Sequence, residues 1–281
     1  MQITSKTNHW PKEWGQKTSI MGVINLTPDS FSDGNDLNSI DKILTRIRSF
    51  SDNGVDIIDL GAQSTRPGAE EVGSKVEINR LIPYLKIIRS EFPDILISVD
   101  TFNSEVAYEA LSNGANWIND ITGGRRDEEI MDVVSKFNCP FVITHSRGNS
   151  KNMNDLNKYN NFLSEVIYAL EILIEKALDK NISKEKIILD PGIGFSKDIK
   201  HNLEILKNLD RFKKLNFPIL IGASRKRFIG EILDEINPKE RDIGTLAVSC
   251  LCSQLNIHLV RVHNVSMNYQ ILKVADSIYR N

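Results

Sequence analysis

MGVINLTPDSFSDG, Met21 to Gly34, starts as an apolar run and ends as a polar loop. From Ile20 to Ile24 it has the length and β-branched content of a strand buried on both faces, as in parallel sheets flanked by helices. At Asn25 the character changes abruptly. Thr27, Pro28, Asp29, Ser30, Ser32, Asp33 and Gly34 are turn formers, yet Phe31 sits among them, an aromatic for which a purely solvated loop has no use. A buried strand that delivers an amide, followed by a polar loop carrying one aromatic, reads as half of a site.

Outward from this stretch the same unit recurs. Residues 39–53 carry Ile40, Ile43, Leu44, Ile47 and Phe50 at helical spacing, with Asn53 and Gly54 as the stop. Further strands are expected at 55–60, 96–99, 117–118, 141–144, 187–189, 219–221 and 259–260. Helical patterns follow them at 77–91, 104–113, 128–137, 162–179, 202–214, 243–255 and 266–279. Eight strand-then-helix units select a closed parallel (β/α)8 barrel, a TIM barrel of the α/β class, over an open doubly wound sheet. Residues 20–281 then make a single domain, and residues 1–19 an N-terminal arm or the remnant of a linker. The Asn-rich segment 149–161 reads as the longest irregular excursion.

A length of 281 residues suits one barrel domain. Hydrophobic residues make up 41% and charged residues 26%, an ordinary balance for a globular protein, and a net charge of −2 argues against broad capture of nucleic acid or an anionic membrane. No apolar run approaches a membrane span, and His9, Trp10, Pro11 and Glu13 stand where a signal peptide needs an apolar core. A cytoplasmic location is expected. Three cysteines make no disulfide framework, and Cys250 and Cys252, two apart on a helix, point to different faces. The five histidines show no zinc-ligand spacing.

Barrel enzymes build their sites at the C-terminal ends of the strands. Standing there are Asn25, the loop Ser64 to Arg66, Asp100, Asn119 and Asp120, His145, Asp190, Ser224 and Lys226, and Arg261 and His263. Any one of them is equally well read as a cap where a loop begins; eight in register are not. Asp100, Asn119 and Asp190 offer acceptors and an amide suited to the donor edge of a guanine-like or pterin ring. Lys226, Arg261 and His263, from the last two strands, stand where barrels commonly hold phosphate, and they bring positive charge. Asn25 and His263 frame a phosphate, with Mg²⁺ on a ligand set that is mostly phosphate and water.

These residues lie in blocks that occur in the right order along nearly all of residues 20–280: MGVINLTPDSFSDG, DLGAQSTRPGA, SVDTF, NDITGG, ILDPGIGF, GASRKRFIG and RVHNV. On them the chain resembles the dihydropteroate synthase family of pterin-binding TIM barrels. STRPGA together with TPDSFSDG carries the most specific part of the likeness. The resemblance implies displacement of diphosphate from 6-hydroxymethyl-7,8-dihydropterin diphosphate by the amine of p-aminobenzoate. It implies that Asp100, Asn119, Asp190, Lys226 and Arg261 hold the pterin, that Asn25, Arg261 and His263 hold the diphosphate, and that Asn25 meets Mg²⁺. Phe31 and Asp33 from one loop, with Thr65, Arg66 and Pro67 from the other, close over the substrates, while Phe195 and Ser224 shape the aminobenzoate pocket. Asp100, Lys226, Arg261, Asp33 and Arg66 are the expected catalytic set, and a homodimer is implied.

Some positions depart from the family pattern. Gln63 stands where an acidic residue is common, Asn264 follows RVH where Asp is common, and residues 145–149 replace the usual bacterial run. None removes a pterin or phosphate group. Two other readings share the barrel: a pterin-binding methyltransferase, against which STRPGA and the diphosphate cations argue, and a non-catalytic pterin-binding paralogue.

Overall fold

A computed structural model describes residues 9–26, 36–63, 70–153 and 155–280, with side chains along the first helix from residue 40 onward. The expected Phe31, Asp33, Thr65, Arg66 and Pro67 lie outside the described residues. The strands are β1 (Ser19–Asn25), β2 (Ile57–Gly61), β3 (Leu96–Asp100), β4 (Trp117–Asp120), β5 (Phe141–Thr144), β6 (Ile187–Asp190), β7 (Leu220–Ile221) and β8 (Leu259–Val262). All are parallel, in the order β6-β5-β4-β3-β2-β1-β8-β7. A bridge between Leu189 and Ile219 joins β6 to β7, with Leu189 N–H donating to Pro218 O at 2.9 Å. This is the (β/α)8 barrel expected from the sequence.

The helices are α1 (Asp36–Asp52), α2 (Ser74–Glu91), α3 (Ser104–Ser112), α4 (Glu129–Phe137), α5 (Phe162–Asp179), α6 (Ile199–Lys207), α7 (Leu209–Lys213), α8 (Arg227–Leu233), α9 (Asp242–Gln254) and α10 (Val265–Tyr279). Two points differ from the sequence reading. The single helix expected over 202–214 is broken at Asn208, whose side-chain amide donates to Glu204 O at 2.8 Å and whose φ of −123° leaves the helical range. α8 was not anticipated, because Gly230 interrupts so short a periodic pattern; that glycine is buried where a Cβ would meet Glu235 O at 2.5 Å.

The period of two along each strand divides the barrel into a dry half and a polar half. Inward at the bottom, one residue from each strand builds an apolar floor: Met21, Ile57, Leu96, Trp117, Val142, Ile188, Leu220 and Leu259. Trp10 and Trp14 from the N-terminal arm pack beneath it, with ring centroids 5.1 and 5.8 Å from Trp117, whose indole N–H donates to His9 O at 2.6 Å. Two residues further along the strands the same faces carry Asp59, Ser98, Asn119, Thr144, Asp190 and Arg261; Asn25 and Asp100 come next at the rim. The alternate residues face outward into the helix layer, among them Ile24, Leu60, Val99, Ile143 and Val262.

Gly22 is one of these outward positions. A Cβ there would lie 2.7 Å from the Phe50 ring of α1 and 2.9 Å from Val265 of α10, so its absence lets both helices close on β1. Gly22→Ala is therefore expected to cost about 1–3 kcal/mol by overpacking. A lowered melting temperature checks this, and an unchanged one contradicts it.

Candidate active site

At the polar end of the barrel the Arg261 guanidinium is gripped from two sides. Its Nε donates to Asp59 Oδ2 at 2.6 Å and its Nη2 to Asp100 Oδ2 at 2.8 Å. Asn119 donates from Nδ2 to the same Asp59 oxygen at 3.1 Å, leaving its own carbonyl oxygen for the pocket. Asp190 accepts from the Gly192 N–H at 2.7 Å. Between Asp190 and Arg261 stands Gly222, whose missing side chain would have come within 3.9 Å of both. Lys226 enters from the loop after β7, its Nζ 4.2 Å from the Phe195 ring centroid, past Gly194, where a Cβ would meet Lys226 Cδ at 3.0 Å. Asp100, Asn119, Asp190, Lys226 and Arg261 are thus brought together as expected, and Phe195, expected beside aminobenzoate, lies against Lys226.

Burial is the main force on the charges here. It pushes the Asp100 carboxyl up to about 7; Arg261 pulls it back, while Asp59, Glu77 and Asp120 push it further up. It brings the Lys226 ammonium down to about 8, with Arg261 acting the same way and Asp190 and Asp100 opposing. Asp190 is likewise raised by burial against its bond from Gly192. Arg261 remains a cation, held above its ordinary value against burial by Asp59 and Asp100.

Among the residues expected to hold diphosphate, His263 differs in charge from the sequence reading. His263 does not bring positive charge: burial, then Arg261, Arg225, Arg46 and Lys226, hold it down at about 3. Its backbone N–H donates to Ser224 Oγ at 3.1 Å, and that hydroxyl lies 3.0 Å from Nδ1. A hydroxyl donating to Nδ1 leaves the proton of the neutral ring on Nε2, a donor rather than a cation. Ser224, expected beside aminobenzoate, therefore supports His263. In the Ser224, Arg225, Lys226 run the middle residue takes a left-handed φ of 59°, which sends Arg225 to a bidentate pair with Asp242 at 2.7 and 2.8 Å. Asn25 ends β1, and its Oδ1 and the Asp100 carboxyl both come within 4 Å of where a Gly61 Cβ would stand.

Two strand-end residues face away from the site. Asp120 accepts from Thr122 and Gly124 N–H groups at 2.7 and 2.6 Å and so shapes the loop after β4. His145 meets Lys197 Nζ at 2.9 Å through Nδ1, and Lys197 also donates to Phe195 O at 2.9 Å. Both are buried, and burial lowers both well below their ordinary values. Two of the departures from the family pattern have backbone partners: Gln63 Oε1 accepts from Val72 N–H at 3.1 Å, and Asn264 Oδ1 caps α10 by accepting from Met267 N–H at 3.2 Å. Beside the polar cluster, and sharing Phe195 with it, is a small cleft lined by Gln63, Phe102, Ile121, Ser146 and Met153 among others.

Asp59 and Lys197 were missed in the sequence. For Asp59 a signal existed: a charge in the middle of the buried run IIDLG, two residues before Gly61 and hence on the same inward face. Nothing in the spacing of Lys197 marked it.

A sequence profile described as pterin binding enzyme matches residues 21–263. The chain is 43% identical over 268 residues to a dihydropteroate synthase of Synechocystis, a match covering 95% of this chain and 92% of that protein. Among solved structures it is similar to a Clostridium difficile dihydropteroate synthase crystallised in the presence of pteroic acid, with a TM-score of 0.90, 40% identity, and coverage of 96% and 99%. It is also similar to a Xanthomonas albilineans dihydropteroate synthase in complex with 7,8-dihydropteroate, with a TM-score of 0.84, 31% identity, and coverage of 94% of each chain.

If Ser224 fixes the His263 tautomer, Ser224→Ala should weaken binding of inorganic diphosphate by about 5-fold, the worth of one hydrogen bond. Calorimetry reads the change, and unaltered affinity would separate Ser224 from the anion.

Proposed function

The chain belongs to the pterin-binding enzymes, and within them to the dihydropteroate synthases, and from that premise we propose how its residues divide the work. The reaction joins 6-hydroxymethyl-7,8-dihydropterin diphosphate to p-aminobenzoate in folate biosynthesis. The observation that carries the residue assignment is the Arg261 guanidinium held between Asp59 and Asp100 beside Asn119, Asp190 and Lys226. Asn119 Oδ1, Asp100 and Asp190 accept from the amino and N–H edge of the pterin, and Lys226 donates to it. Arg261 lies along the ring and reaches toward the diphosphate, where neutral His263 donates from Nε2.

The C–O bond to diphosphate breaks with its electron pair leaving on the diphosphate, and the exocyclic methylene gains cationic character shared with the electron-rich dihydropterin. Asp100 favours that charge. The p-aminobenzoate nitrogen then attacks, a C–N bond forms, and its extra proton passes to solvent, so no dedicated base is assigned. Phe31, Asp33, Thr65, Arg66 and Pro67 are assigned to excluding water and seating the second substrate.

Among the described residues no cluster of three or more His, Cys, Asp or Glu side chains forms a metal site. One neutral amide oxygen, Asn25 Oδ1, fits an ion such as Mg²⁺ that takes most of its ligands from phosphate and water. Bound there, it would neutralise charge on the departing diphosphate. The free thiols Cys139 and Cys252, both buried and pushed up to about 12 by burial, fit the cytoplasm expected from the sequence.

Pairing into a homodimer is assigned to the outer face of α9 and α10. The apolar positions of α9 turn partly inward, since Leu246 and Cys252 are buried, but Ile243, Val274 and Ile278 are more than half exposed. Sedimentation is expected to give two protomers, and a monomer at working concentration would remove this assignment.

Product formation with each substrate omitted in turn tests the reaction: dihydropteroate must need both. The charges also set a pH profile. Asp100 must be ionised, so kcat/KM for the pterin substrate should rise through about 7, and Lys226 must be protonated, so it should fall above about 8. A profile flat from about pH 6 to about pH 9 would contradict both roles.

A further inference from the structure

One charged side chain lies wholly beneath the substrate-facing residues. Asp59 sits on the inward face of β2, between Ile57 of the apolar floor and Gly61 at the rim, and it is 0% exposed. Its Oδ2 accepts from two side chains of other strands, Arg261 Nε on β8 and Asn119 Nδ2 on β4. Its Oδ1 is buried with no partner among the described residues. An ion pair so buried is a poor device for stability alone, because apolar residues of similar volume commonly do as well.

We infer that Asp59 is a positioning residue that sets how Asn119 and Arg261 face the pterin ring, an inference that rests on the dihydropteroate synthase reading of this site. The effect on Asn119 is a choice of face. With Nδ2 spent on Asp59, the amide turns its oxygen to the pocket, and the orientation follows from the hydrogen-bond network. Asn119, Asp100 and Asp190 then form an acceptor set matched to a heterocycle edge rich in donors, and a ring with acceptors on that edge leaves buried groups unpaired. The effect on Arg261 is a fixed plane. Nε and Nη2 are anchored by carboxylates on two different strands, so the planar guanidinium cannot swing about its stem. Asp59 touches no substrate; it acts through the two residues that do.

The test uses calorimetry with 6-hydroxymethyl-7,8-dihydropterin, which lacks the diphosphate, together with steady-state kinetics. Asp59→Leu, which removes the acceptor, is expected to weaken heterocycle binding by at least about 10-fold, as loss of a correctly faced polar partner does. The KM for p-aminobenzoate at saturating pterin diphosphate should stay within about 2-fold. The conservative variant Asp59→Asn keeps an acceptor, since its amide oxygen can take the place of Oδ2 and receive both Asn119 Nδ2 and Arg261 Nε. It should hold binding to within about 3-fold of wild type, a rescue that follows the acceptor.

Wild-type binding in Asp59→Leu overturns the inference, as does a folded Asp59→Asn that binds no better than Asp59→Leu. If Asp59→Leu does not melt cooperatively, Asp59→Asn decides alone: binding within about 3-fold of wild type supports the inference and a larger loss overturns it. Failure of both to fold assigns Asp59 a structural role and overturns the inference too. Wild-type product formation is scored separately: a protein whose heterocycle binding responds as stated but which makes no dihydropteroate loses the reaction and keeps the role of Asp59.

Discussion

Arg261 between Asp59 and Asp100 is the contact on which the polar half of the barrel depends. It ties β8 to β2 and β3 across the interior, at 2.6 and 2.8 Å, in surroundings from which solvent is largely absent. Arg261 keeps 23% of its side chain exposed, but both carboxylates are buried, and a buried carboxylate stripped of its partner costs about 3–5 kcal/mol, so the guanidinium is a condition of the two carboxylates. Their number has a second consequence. Two carboxylates face one guanidinium, and the excess negative charge suits the cationic methylene of the proposed reaction. The same excess explains why burial and Asp59 together raise Asp100 even with Arg261 beside it.

The barrel supplies this arrangement through the simplest property of a strand, its period of two. Leu96, Ser98 and Asp100 point the same way, as do Trp117 and Asn119, and Leu259 and Arg261. Each inward face passes from apolar to polar within a few residues, so the charges stand on a floor that Trp10, Trp14 and Trp117 close from below. A dry floor keeps the local dielectric low, which strengthens every interaction above it. Glycines finish the shape: Gly222 leaves room between Asp190 and Arg261, and Gly194 lets Lys226 through.

The fold was legible in the sequence because strand and helix patterns alternate cleanly, and because a polar residue ends each apolar run. Asp100, Asn119, Asp190, Lys226 and Arg261 were readable for the same reason, each standing at or just past the end of its strand. Direction was harder to read. Asp120 and His145 also end strands but point outward, Asp120 because the inward position beside it is taken by Asn119, and His145 because it follows inward Thr144. Asp59 is mid-strand and so escaped a search confined to strand ends. The protonation of His263 was illegible altogether, since the cations that hold it neutral come from α1, the loop after β7 and β8, brought together only by folding.

That neutrality sharpens the chemistry of the diphosphate end. In the proposed assignment, a histidine held at about 3 by burial and by Arg261, Arg225, Arg46 and Lys226 meets the diphosphate as a hydrogen-bond donor, with the Ser224 hydroxyl 3.0 Å from Nδ1. An arriving diphosphate offsets those same cations, and an anion beside the ring favours its protonated form. As the C–O bond breaks, negative charge on the leaving oxygen grows and the basicity of His263 rises with it. The proposed anion pole would therefore respond to the reaction. The pole around Asp59, Asp100 and Arg261 is fixed beforehand by geometry.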